Sequence, residues 1–477
     1  MLRNPSTLGT AIAMAIGSVS AQAGETVNGP MAFNPIPGSA YELTDNWGDS
    51  PFLIPDGYRQ YKVTDERDLN IYEIYPGGTD VGRDYSDLPD MNTVNETGRQ
   101  AGRFLYHTHE VDNCGAVSVH DLKTGESKVI AQASDCATSS PAVGPQFPEF
   151  TRGGDLDGIR WTPWGTVLFA EEDPQGRLYE LVLDKNDPSV ATDVKDRPAV
   201  GRIRHEGIEI GRAGEIYVID ELNGGSIFKF VPDTHGDLSS GQLYALKVSG
   251  IPDAGQNWNG DSGATGMFEW VALDPTQVRI DAKVAADDVN ATEYGRPEDI
   301  ERIGNTLYVS TTSSDRVLAI NLDQQTITPF VVAGVNVPDQ DLSAVGPVDN
   351  PPTDQFVTGF DDPDNLAQGP DGRLWIVEDN SPSDIWVAEP DRNGDGMADE
   401  VHLFASLRDG AWECDDNQGG QCFDWGYNGA EGTGIYFGKD PKTLFVNIQH
   451  AEAELRDGTW AITNRNLPNG KGKGKNR

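Results

Sequence analysis

Apolar residues, many of them β-branched or aromatic, recur along most of the chain in short runs separated by polar turns rich in Gly, Pro, Asn and Asp. Val167-Leu168-Phe169-Ala170, Ile216-Tyr217-Val218-Ile219, Leu307-Tyr308-Val309 and Leu374-Trp375-Ile376-Val377 are of this kind, and almost nothing carries a helical period. β-branched and aromatic runs between turn signals predict antiparallel strands. A longer pattern overlies the short one. Asp157-Gly158-Ile159, Glu206-Gly207-Ile208, Glu298-Asp299-Ile300 and Asp364-Asn365-Leu366 each place an acid, a small or polar residue and an aliphatic ahead of a glycine-containing turn and a strand-like run. Glu431 opens a further copy, here three residues ahead of Gly434, and Arg103 to Gly125 reads as a degenerate one. Self-similar multi-strand units predict a propeller or array. The expected fold is all-β, a six-bladed β-propeller with long inserted loops; five or seven blades are the alternatives. The copies are unevenly spaced, widest between Glu206 and Glu298, which puts insertions inside the repeat units. A single domain over residues 24–465 is expected.

The two ends read differently. Arg3, the small apolar run Leu8 to Val19 and the Ala21-Gln22-Ala23 cleavage pattern make residues 1–23 an expected export signal, cleaved before Gly24. That run is too short for a resident membrane span, and no later segment is long enough. No Arg-Arg pair precedes it, so a Sec-type route to a secreted or periplasmic location is expected. Residues 466–477 are basic and glycine-rich, the composition of a disordered tail. Export permits disulfides, and the four cysteines allow three pairings. Proximity in sequence favours Cys114 with Cys136 and Cys414 with Cys422.

Charge sharpens the picture. Asp and Glu number 76 against 36 Lys and Arg, a net charge of −40. Such a field argues against nucleic acid or an anionic membrane as partner. Most of it is a solvated surface, but acids that recur once per repeat are another matter. Corresponding positions of successive propeller blades converge on a central channel. Clustered carboxylates cannot all stay ionised there without a compensating cation. Asp157, Glu206, Glu298, Asp364 and Glu431 are therefore candidate metal ligands. Glu171, Glu172, Asp220, Glu221, Glu378 and Asp379, at the ends of the following strands, form a second set. Oxygen-rich sites suit hard cations such as Ca²⁺. Asp299, Asp361 and Asp362 receive no special weight.

A separate cation pattern is Asp391, Asn393, Asp395, Met397 and Asp399, with Gly396 at the sixth position, the ligand spacing of a calcium loop. His402 stands where the bidentate Glu belongs, and no flanking helices are evident, so a structural calcium loop between strands is expected. Arg296, in Arg296-Pro297-Glu298, is either a counter-charge for Glu298 or a clamp for phosphate or carboxylate. The seven histidines show no zinc spacing, and neither a G-x-S-x-G elbow nor a phosphate-binding loop is present.

These motifs, in order, resemble a known family. TPWGTVLFAEE, RHEGIEI, RPEDIE, DPDNLAQGPDGRLWIVED and EGTGIYFGKDPKTLFVNIQH are similar to the PhoX-type alkaline phosphatases, from about Leu53 to His450. The resemblance implies a six-bladed propeller with a central cluster of calcium and ferric iron that hydrolyses small phosphate monoesters outside the cytoplasm. It implies metal ligation by Glu172, Glu206, Glu298, Asp364, with Asn365 beside it, and Glu431, and a phosphate clamp at Arg296. The family's iron-binding Cys, five residues before the Thr162-Pro163-Trp164-Gly165 threonine, falls on Asp157. Carboxylate in place of thiolate favours Ca²⁺ over Fe³⁺. The expected function is a secreted calcium-dependent phosphomonoesterase, acting as a monomer. A calcium lactonase and a non-catalytic calcium-stabilised propeller are the alternatives.

Overall fold

The computed structural model describes residues 31–39, 50–69, 88–110, 115–134, 144–148, 155–260, 264–339, 359–380, 383–408, 430–449 and 457–464. The leader, the basic tail and all four cysteines lie outside the described residues.

The apolar runs form antiparallel meanders, each opened by one of the acid-bearing segments. Leu156–Trp161, Val167–Glu171, Leu178–Leu183 and Ala191–Asp196 make one such sheet. Others open with Pro89–Val94, His205–Ile210, Pro297–Ile303, Pro363–Gln368 and Glu431–Phe437. These first strands pack side by side in chain order, and Glu431–Phe437 returns against Pro89–Val94. The arrangement is all-β and propeller-like. Arg59–Asp65, from near the start of the chain, pairs with Gly458–Thr463 and forms the outer edge of the last meander. A strand so placed satisfies an edge that would otherwise be open and ties the two ends of the ring together.

The packing explains why the apolar runs are nearly continuous. Val167 and Phe169 face the preceding sheet, whereas Leu168 and Ala170 face the following one. Each sheet is buried on both faces, so its middle strands lose the polar half of the usual alternation. Apolar layers fill the gaps between successive sheets in this way around the ring.

The widest insertion, between Glu206 and Glu298, has structure of its own. Gly266–Ala272 pairs with Asp237–Val248 on one side and Thr326–Val332 on the other, which joins two meanders into one sheet. Two short helices follow, Pro275–Val278 and Ala282–Asp287. Asp274 caps the first through the amides of Thr276 and Gln277, and Asp281 caps the second through that of Val284. Val278, Ala282, Ala285 and Ala286 are buried in the neighbouring apolar layer. Helices this short leave no readable period in the sequence.

Candidate metal centre

Beside its acid, each of the first five inner strands carries a β-bulge. Leu156 pairs with Glu171 and Ile159 with Phe169, so three steps on one strand meet two on the other. The same shift occurs after Pro89, His205, Pro297 and Pro363. A bulge re-aims the side chain that it carries, here the acid. It also explains the small residue that follows. A Cβ on Gly158 would stand 1.9 Å from the Glu206 carbonyl oxygen, and one on Gly207 would stand 2.6 Å from Asp299 Cα. Glycine lets neighbouring inner strands approach that closely. Where the residue is polar, its side chain bridges the same gap. Asp299 accepts the amides of Ile300 at 2.6 Å and Leu366 at 2.8 Å. Asn365 donates to Asp364 Oδ1 at 2.8 Å and accepts from Thr433 Oγ1 at 2.7 Å. Asn365 thus links two inner strands and positions Asp364.

The second set of acids obeys its own repeat. Glu110, Glu172, Glu221 and Asp379 each follow a second strand directly. Their amides donate to the carbonyls of Leu88, Asp155, Arg204 and Asp362, the residues just before the first strand of the same sheet. In each acid pair the first member turns away. Glu171 accepts the Arg177 amide and the Tyr179 hydroxyl, both at 2.9 Å. Asp220 accepts the Arg204 amide at 3.0 Å, and Glu378 accepts Trp386 Nε1 at 2.8 Å. The turn between Asp157 and Glu172 is fixed by Thr162, whose Oγ1 accepts the Thr166 amide at 2.9 Å, and by Gly165 at φ 89°. Thr166 and Trp164 are in turn tied to Glu180 at 2.8 and 2.9 Å. The Thr-Pro-Trp-Gly-Thr motif is the brace that sets the two acids opposite one another.

The acids meet in one place. Asp90, Asp157, Glu206, Glu298 and Asp364 from the first strands, Glu110, Glu172, Glu221 and Asp379 after the second, and Glu431 line a cavity of about 90 Å³, with Arg296 beside them. Oxygens of Asp90, Glu110 and Asp157 lie within 4.8 Å of one another, as do those of Glu206, Glu221 and Glu298. Burial first, and then the like charges around them, raise the pKa values of Asp157, Glu206, Asp364 and Asp379 well above the ordinary carboxylate range. Burial and the Glu221 charge push Glu298 up to about 8. Asp157 Oδ1 is buried and accepts no hydrogen bond. An orphaned, repelled set of oxygen donors is what a hard cation compensates. The residues present therefore fit an oxygen-ligated metal, and neither Cys nor His lines the cavity among the described residues.

Arg296 holds this set from the rim. Its Nε donates to Glu221 Oε1 at 2.8 Å, and its Nη2 lies 3.2 Å from Glu298 Oε1. Burial alone would lower its pKa, but the Glu298 and Glu221 charges raise it further. Beneath the acids, Arg160 hydrogen-bonds to Glu209 and reaches Glu301 at 3.0 Å. That contact passes from the strand of Asp157 to the next inner strand but one.

Asp157, Glu172, Glu206, Glu298, Asp364 and Glu431 are thus brought to one cavity with Arg296, whereas Asn365 supports it from outside. Asp90 and Glu110 are additions. Pro89-Asp90 has the same form as Pro297-Glu298 and Pro363-Asp364, a likeness that could have found it. Glu431 sits one residue earlier than the other acids. Its partner Gln449 corresponds to His109 opposite Pro89, and the bulge is displaced to between Thr433 and Tyr436. The candidate calcium loop lies between strands, on the hairpin from Asp384–Ala388 to Val401–Leu407. There Asp391 accepts the amides of Gly394 and Gly396, Asn393 that of Asp395, and Asp395 that of Met397, while Asp399 faces Arg392. Asp361 and Asp362 form a further acidic group with Asp315, whose oxygens lie within 4.8 Å of theirs.

Fold and site together define an all-β, propeller-like protein with an acidic centre suited to metal ions. The family model described as alkaline phosphatase PhoX matches residues 179–452, and the chain belongs to that family. Pseudomonas fluorescens PhoX, solved in complex with vanadate, a transition state analogue, superimposes with a TM-score of 0.58 at 17% identity. The match covers 91% of this chain and 98% of that one. A gluconolactonase from Xanthomonas campestris is similar with a TM-score of 0.42 and 13% identity, covering 92% and 98% of the two chains. No curated protein matches the chain in sequence.

Proposed function

We propose that this protein is a secreted or periplasmic calcium-dependent phosphomonoesterase, a single-domain six-bladed propeller that hydrolyses small phosphate esters at its central acidic cavity. One observation carries the reading: ten carboxylates face a single cavity with Arg296 beside them. In this reading Asp90, Glu110, Asp157, Glu172, Glu206, Glu221, Glu298, Asp364, Asp379 and Glu431 hold several divalent ions. When bound there, such ions would supply positive charge to offset that of a phosphoryl group and of its transition state. Arg296 orients the ester. Its contacts to Glu221 and Glu298 through Nε and Nη2 fix the guanidinium plane, so Nη1 is held in place as a donor when a phosphoryl group arrives. Arg160 ties the inner strand of Asp157 to Glu209 and Glu301 on the next two inner strands and so holds the strands that carry the acids together. With Asp157 standing where the family carries its iron-binding Cys, an all-oxygen donor set suits Ca²⁺ better than Fe³⁺.

The test is p-nitrophenyl phosphate turnover at about pH 8 to 10, with calcium, after chelation and after calcium is returned. Release of p-nitrophenol that disappears with the chelator and returns with calcium supports the reading. No release under any metal condition would sink it.

A further inference from the structure

A second guanidinium, that of Arg204, contacts two of the acids that line the cavity, Glu172 and Glu221. Arg204 and Arg296 occupy the same position in successive meanders, the residue just before the first strand. The Arg204 carbonyl accepts the Glu221 amide at 2.9 Å, and the Arg296 carbonyl accepts the Thr312 amide at 3.0 Å. The two side chains also share a partner. Glu221 is fully buried, with one oxygen 2.8 Å from Arg204 Nε and the other 2.8 Å from Arg296 Nε. Glu172 holds Arg204 from its far side, through its backbone carbonyl at 2.8 Å and its carboxylate.

Both arginines stay accessible, with side chains 34% and 37% exposed. No hydrogen bond or ion pair among the described residues uses Nη1 of either. They are close enough that the charge of one opposes that of the other. Two cations held together by one buried glutamate, each with an unused donor, make a preorganised site for a dianion. A substrate with two negative charges meets little other attraction at a rim of carboxylates in a chain of net charge −40.

We propose that Arg204 is a second phosphate-oxygen donor, acting with Arg296 across Glu221, and that the pair selects dianionic phosphoryl groups over monoanionic diesters. This rests on the phosphomonoesterase reading, but its test does not require turnover. Inorganic phosphate is titrated calorimetrically into the calcium-loaded wild type, Arg204→Gln and Arg204→Lys, with calcium content measured in each. Losing one charge-assisted contact raises the phosphate Kd by about tenfold or more in Arg204→Gln. Arg204→Lys, which keeps the charge without the fork, falls between, and calcium content stays the same. An unchanged phosphate Kd in Arg204→Gln overturns the proposal. So does a loss of phosphate binding that follows a loss of calcium, since Arg204 would then only position Glu172 and Glu221. A wild type that binds phosphate but hydrolyses no ester overturns the enzymatic reading and leaves this one standing.

Discussion

The bulge that aims the acids predicts the effect of a single methyl group. In Gly158→Ala the new Cβ would lie 1.9 Å from the Glu206 carbonyl oxygen, 2.9 Å from its carbon and 3.2 Å from Ile208 Cδ1. Carbon–oxygen contacts settle near about 3.3 Å, so the two inner strands must part by roughly 1.4 Å. The obstacle is backbone, not the end of a flexible side chain. The cost therefore belongs at the upper end of the usual overpacking range, about 3 kcal/mol. Asp157 and Glu206 separate by the same movement. Metal–ligand distances tolerate about 0.2 Å, so calcium affinity should fall at least tenfold. Calorimetric calcium titration and thermal melting of the metal-free protein report the two effects separately. Gly255→Ala is the control, because its Cβ would meet nothing closer than Ile251 at 3.8 Å. It should bind calcium as the wild type does and melt at the same temperature or slightly higher. A Gly158→Ala protein that binds calcium and melts like the wild type would show that the close approach of these strands does not set the positions of Asp157 and Glu206.

Two further predictions follow from the buried acids. Without metal, stability should fall as pH rises from about 4.5 through 8. Burial raises the folded-state pKa of Glu298 to about 8 and that of Asp361 to about 8, so the folded state holds protons that the unfolded state has released. Their contribution is complete below the unfolded pKa and is lost as the folded groups ionise; a melting temperature of the metal-free protein that rises over this range would contradict it. Glu171 and Glu172 should behave as opposites despite being neighbours. Glu171→Gln weakens its bonds to Tyr179 and Arg177 and costs about 1 to 2 kcal/mol with calcium binding intact. Glu172→Gln lowers calcium affinity and leaves the metal-free protein no less stable; the reverse pattern would show that the pair is assigned the wrong way round.

Much of the fold was legible because its packing is repetitive. Runs such as Val167 to Ala170 are continuous since both sheet faces are buried, and they stand out against turns. The acid-and-glycine pairs were legible because a bulge between closely packed strands tolerates so few residues after the acid. Asp90 lacked that mark. Met91 follows it, and its own second strand, Phe104–His109, carries the apolar pattern that identifies the copy. Glu431 was visible as an acid but not in its register, because its bulge has moved to the far side of Thr433. The closing strand Arg59–Asp65 pairs with Gly458–Thr463 from the opposite end of the chain, and no local pattern encodes that. The Asp361–Asp362 group needs Asp315 from the preceding sheet, and Arg204 shares its position with Arg296 only through the register of two successive sheets, which no local pattern encodes.

If the acidic cavity hydrolyses phosphate monoesters as proposed, its activity must depend on calcium and on Arg296. The initial rate of p-nitrophenyl phosphate hydrolysis should be measured against free calcium in exhaustively chelated wild-type protein and in Arg296→Ala. No rate is expected without calcium, with a saturable return as calcium is added and a loss of at least tenfold in kcat/KM for Arg296→Ala at saturating calcium. A rate that is absent at every calcium concentration, or that persists unchanged in its absence, would contradict it.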